Sequence, residues 1–135
     1  MIAVDTNVLL YLYIPGPYTD DCTRLLKQDP VWACPPLWRS EFCNTLLLYL
    51  RKKLIVREFA LSAIDAAEKI VSAHEYLPAT ENVMDLAIQN NCTYYDCEFV
   101  ATAQSLSTIL VTQDRAVLKA FPSVAMTISA ALQRP

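Results

Sequence analysis

Glycine occurs once in the 135 residues, as Gly16, and histidine once, as His74. A phosphate-cradling loop needs several glycines for close backbone approach, so P-loop and glycine-rich dinucleotide fingerprints are excluded. Five cysteines, at 22, 34, 43, 92 and 97, form no Cys-x-x-Cys pair, and with one histidine they give no zinc framework. Scattered and odd in number, they read as reduced, mostly buried thiols. No apolar run approaches the roughly 20 residues that span a bilayer, and the chain enters Ile2-Ala3-Val4 without a basic leader. A cytoplasmic protein with no membrane partner is expected. Basic charge is short as well: 11 Lys and Arg against 14 Asp and Glu leave a net charge of −3. That is the reverse of the basic face of a non-catalytic nucleic-acid binder.

What the chain has is a core. Hydrophobic residues make up 54% and charged residues 19%, which excludes disorder and low-complexity tails. Residues 1–135 are read as a single domain, of a size that buries roughly two-thirds of its unfolded surface. Short apolar runs predict strands at Ile2–Val4, Val31–Cys34, Glu75–Leu77, Ile109–Val111 and Val124–Met126. Helical periods predict helices over Val8–Tyr13, Thr19–Lys27, Pro36–Arg51, Arg57–Ala73, Thr80–Asn90, Tyr94–Leu106, Arg115–Ala120 and Ile128–Leu132. Strands alternating with helices imply right-handed crossovers. The expected fold is α/β, a three-layer α/β/α sandwich with a mainly parallel, roughly five-stranded sheet.

Ligands of such sheets sit beyond the carboxyl ends of the strands, where this chain places acids. Asp5 follows the first strand, Glu41 lies early in the helix after the second, Asp96 opens a helix, and Asp114 follows the fourth strand. Each has a purely structural explanation. Asp5 and Asp114 suit helix N-caps, and Asp96 stands three residues after Thr93 in a capping-box spacing. Glu41 is harder to explain in that way. The segment Leu37–Leu50 is polar only near its start, at Arg39, Ser40, Glu41, Asn44 and Thr45, and Leu46-Leu47-Leu48-Tyr49-Leu50 is apolar all round. A helix buried except at one end points that end at a site. Four acids on one edge repel each other unless a cation compensates them. An oxygen-only donor set favours Mg²⁺ or Mn²⁺, and such an ion lets an acidic protein hold phosphates.

At this point the residues resemble a family. Asp5-Thr6-Asn7 after a strand, Glu41 in a following helix, Tyr95-Asp96 opening a helix that runs through Ala101 and Ala103, and Thr112-Gln113-Asp114 after a strand are similar to PIN-domain ribonucleases, most closely VapC-type toxins of toxin–antitoxin pairs. The resemblance spans nearly the whole chain. It implies that Asp5, Glu41, Asp96 and Asp114 bind one or two Mg²⁺ or Mn²⁺ ions and hydrolyse RNA phosphodiesters, with Asn7 and Thr112 orienting ligands or water. A homodimer and a cognate antitoxin are implied as partners. A housekeeping RNA-processing nuclease would carry the same site, and a non-catalytic binding module of the same fold is a third reading. A receiver module or a haloacid-dehalogenase-type phosphatase needs further acids close after Asp5, where Thr6 and Asn7 stand.

The remaining polar residues are read more plainly. Arg39 and Arg115 are candidate contacts to RNA phosphates, whereas Arg51-Lys52-Lys53 reads as a solvated helix end. His74 is read as a helix C-terminal partner, and Glu98 as an exposed acid, since two residues on a helix rotate it about 200° from Asp96. Trp38, Tyr94 and Tyr95 are expected to pack in the core or at helix starts rather than stack on bases.

Overall fold

The computed structural model describes residues 1–135. In chain order the elements are β1 (Ile2–Val4), α1 (Thr6–Tyr13), α2 (Thr19–Gln28), β2 (Trp32–Ala33), α3 (Leu37–Arg51), α4 (Arg57–Val71), a 3₁₀ turn (Ser72–His74), α5 (Thr80–Gln89), α6 (Tyr94–Ser105), β3 (Leu110–Val111), α7 (Arg115–Ala120), β4 (Ala125–Met126) and α8 (Ile128–Leu132). The sheet has the order β2-β1-β3-β4 and every pairing is parallel. Helices on the faces of a parallel sheet leave no solvated strand face, which is why β1 is apolar and buried at every position. The expected α/β architecture with a parallel sheet is what forms.

The sheet has four strands where five were expected. Glu75–Leu77 contributes only an isolated parallel bridge, Glu75 beside Cys34. The Cys34 N–H donates to the His74 carbonyl and the Tyr76 N–H donates to the Cys34 carbonyl. Pairing stops there because Pro78 has no N–H to continue a ladder. Leu77 is 75% exposed.

Helix α3 buries one face only. Trp38, Phe42 and Leu46, four residues apart, form its buried stripe, with the Trp38 and Phe42 rings edge-on at 5.7 Å. Leu47 and Leu48, in an apolar run that cannot all face one sheet, are 39% and 47% exposed. Only α1 and α4 flank this helix closely, so one side of it faces outward. Trp38 belongs to the core as expected, and its indole N–H donates to the Glu75 carboxylate at 2.9 Å. All five cysteines are free, with Cys22, Cys34 and Cys97 buried. Burial pushes the Cys22 thiol up to about 12 and that of Cys97 to about 11, so they remain protonated and inert.

Candidate active site

The carboxyl end of β1 organises the site. Asp5 still donates its N–H to the Val111 carbonyl of β3 at 3.1 Å, so it is held as tightly as a strand residue while its side chain caps α1. One carboxylate oxygen accepts the Asn7 N–H at 3.4 Å, and the other accepts the Thr112 hydroxyl at 2.7 Å. Thr112 is fully buried, and its oxygen also accepts the Asp114 N–H at 3.0 Å. One hydroxyl thus couples the ends of β1 and β3. Asp114 in turn caps α7, accepting the Val117 N–H at 3.0 Å.

Thr6, the next residue, reaches the other way and donates its hydroxyl to Glu41 Oε1 at 2.8 Å. It joins β1 to α3. Asp96 sits in the first turn of α6, its own N–H donating to the Thr93 hydroxyl at 3.0 Å. Capping and site-building are therefore not alternatives, because a carboxylate that accepts one N–H keeps further lone pairs for a ligand.

The four acids feel one another. Burial raises Asp5 above the ordinary carboxylate range, opposed by its bonds from Thr112 and Asn7 and reinforced by the charges of Asp114 and Asp96. Glu41 is likewise raised by burial, opposed by Thr6 and reinforced by Asp5, Asp96 and Glu98. The charges that chiefly raise these two groups, from Asp5, Asp96, Glu98 and Asp114, are all negative. Glu98 is half-buried rather than an exposed acid, and its charge is felt by Glu41. No three His, Cys, Asp or Glu side chains form a ready-made metal-binding group. In chemistry, an all-oxygen, net-negative donor set fits a hard divalent ion.

The basic candidates separate. Arg39 turns away, pairing with Glu68 of α4 and lying over the Trp38 ring at 5.5 Å, and the acids around it are Glu68 and Glu75. Arg115 is exposed, directly follows Asp114, and joins none of the four ion pairs. Asn7 is exposed at the same end of the sheet. Two contributors carried no role in the sequence reading: Thr6, and Gln113, whose amide oxygen accepts the Ile128 N–H at 2.9 Å and ties the loop after β3 to α8. Their only signal was adjacency to the acids.

Comparison with known proteins gives a consistent result. The sequence-family model of the PIN domain matches residues 2–122. Ribonuclease VapC3 of Pyrobaculum aerophilum is 25% identical over 126 residues, spanning 91% of this chain and 96% of that protein. Among solved structures, PAE2754 from Pyrobaculum aerophilum superposes with a TM-score of 0.70 at 23% identity, covering 97% of this chain and 92% of its own. FitAcB from Neisseria gonorrhoeae superposes with a TM-score of 0.64 at 14% identity, covering 96% of this chain and 99% of the matched chain. At those identities the structural matches speak for the fold.

Proposed function

The chain belongs to the PIN-domain family, and from that premise we propose that it is a metal-dependent endoribonuclease, the toxin of a toxin–antitoxin pair. The observation that carries this reading is electrostatic proximity: Asp114 and Asp96 act on Asp5, and Asp5, Asp96 and Glu98 act on Glu41, all with negative charge. The similarity to Ribonuclease VapC3 supports RNA as the substrate.

In this reading the four carboxylates would hold one or two Mg²⁺ or Mn²⁺ ions. When bound, such an ion supplies a nucleophilic water at neutral pH and offsets charge during in-line displacement at phosphorus. The chain's own residues prepare for that chemistry. Thr112 and Thr6 fix the carboxylate planes of Asp5 and Glu41 by hydroxyl hydrogen bonds, so that their remaining lone pairs keep a set direction. The Asn7 N–H holds the second oxygen of Asp5. Arg115, unpaired and next to Asp114, supplies positive charge to a substrate phosphate.

A second copy of the chain and an antitoxin are the proposed protein partners. Exposed Leu47 and Leu48 on α3, Leu54 and Val56 beyond it, and Leu61 on α4 give apolar surface for such contacts.

Purified protein incubated with end-labelled RNA in Mn²⁺ is expected to give discrete cuts that disappear with EDTA. Uncut RNA from folded, antitoxin-free protein would reject the nuclease reading. Growth arrest on expression, relieved by a neighbouring gene product, separates a toxin from a housekeeping nuclease.

A further inference from the structure

Tyr95 was expected to pack at the start of its helix, and it does not. It is 60% exposed, the most exposed aromatic side chain of the molecule, while its neighbour Tyr94 is half-buried. Tyr95 closes one side of a hollow of about 260 Å³ whose other lining residues are Leu37, Ser40, Glu41 and Asn44. Leu37, Ser40 and Asn44 stand at i, i+3 and i+7 on α3, which is one stripe of a helix. The hollow is therefore a slot between the ring of Tyr95 and a stripe that is apolar at one end and polar at the other.

Two features identify what the slot would take. It shares Glu41 with the acidic edge, and Tyr95 is covalently next to Asp96, so an occupant would lie immediately beside the reacting phosphate. It also contains no Lys or Arg, and its one charge is negative, so a phosphate would be repelled from it. A nucleobase has the opposite requirements: a π-face for the ring, and an edge of donors and acceptors. The Asn44 carboxamide offers both a donor and an acceptor, and the Ser40 hydroxyl does the same.

We propose that this slot is a nucleobase subsite, in which a base flanking the scissile phosphate of single-stranded RNA stacks on Tyr95 and presents its edge to Asn44 and Ser40. The inference rests on the ribonuclease reading of the neighbouring acids. An unpaired, splayed base is the form of RNA that such a slot accepts, because in a duplex the base face is already stacked. Stacking gives affinity with little discrimination, so Asn44 and Ser40 would set the base preference.

The test uses RNA binding with cleavage switched off. With all four acids intact and Ca²⁺ replacing Mn²⁺, so that phosphate is held without being cut, the affinity for a fluorescent single-stranded RNA is measured by anisotropy, before and after placing one abasic nucleotide at successive positions. Adding Tyr95→Ala should weaken binding by about 5- to 150-fold, the usual range for one stacked base. Tyr95→Phe should retain the parent affinity. One abasic position should weaken the parent and cause no further loss in Tyr95→Ala. Unchanged affinity in Tyr95→Ala, an equal abasic loss with and without the ring, or no RNA binding by the parent each overturns the subsite. Cleavage in Mn²⁺ is scored separately, so a failed slot and a failed nuclease reading give different patterns. In that active background, Asn44→Ala should change the base found at the cut ends, and an unchanged base preference would overturn its reading role.

Discussion

The Thr112 hydroxyl donates to Asp5 Oδ2 at 2.7 Å across 107 residues of sequence. Because Thr112 is fully buried and its oxygen also accepts the Asp114 N–H, the strongest-held carboxylate of the site is tied to the loop that carries another. The bond favours the ionised form of Asp5 against the burial that raises its pKa.

Thr112→Val keeps the shape and deletes the hydroxyl. It should cost about 1–3 kcal/mol of stability by leaving the Asp114 N–H and Asp5 without their partner. Mn²⁺ affinity should fall about 10- to 100-fold, while Thr112→Ser retains most of it. Calorimetric titration of the three proteins decides the matter, and equal Mn²⁺ affinities would remove Thr112 from the ligand-orienting role.

Asp5→Asn is expected to lower RNA cleavage roughly a hundredfold or more without lowering the melting temperature of metal-free protein. The neutral amide avoids burying an unpaired charge. Excess Mn²⁺ should raise the wild-type melting temperature, since a ligand at a hundred times its Kd adds about 2.7 kcal/mol. The variant should show little of that rise.

Acid should stabilise the metal-free protein before it harms it. Asp5 and Glu41 are both raised from their ordinary values of 3.8 and 4.5, so protons bind the folded state more tightly than the unfolded one. Their contribution is fully present below those ordinary values and is lost as pH rises through the higher folded-state values. Urea midpoints should therefore increase from neutral pH toward that acidic range, and the slope should flatten in the combined Asp5→Asn, Glu41→Gln variant. Mn²⁺ affinity should run the opposite way, falling as these groups take up protons.

Arg115 and Arg39 should differ in kind. Arg115→Ala should raise KM for RNA and reduce the salt dependence of binding by about one unit of slope. Arg39→Ala should leave that slope unchanged and lower stability, because its guanidinium is engaged with Glu68 and Trp38. Salt-titrated RNA affinities and melting curves of the two variants make the comparison. The reverse assignment would place the substrate on the α4 side of α3.

The order of strands and helices, the acids at strand ends and the oxygen-only character of the site were readable along the chain. Each rests on local pattern: apolar runs for buried strands, a 3.6-residue period for helices, and acids at the residues that follow them. Helix α7 and helix α8 occur where their periodicity put them. The bounds of α1 did not, because Asp5 caps it and draws Thr6 into its first turn.

What only the tertiary structure decided lies between segments distant in sequence. The register of β1 against β3 determines that Thr112 meets Asp5, and the placement of α3 determines that Thr6 meets Glu41 while Arg39 meets Glu68. The same packing leaves Tyr95 open beside Asn44, half-buries Glu98 and reduces Glu75–Leu77 to a single bridge. The physical reason is that a sequence period states which face a side chain takes on its own element. Its partner depends on how that element docks, and docking is settled by the packing of the whole core.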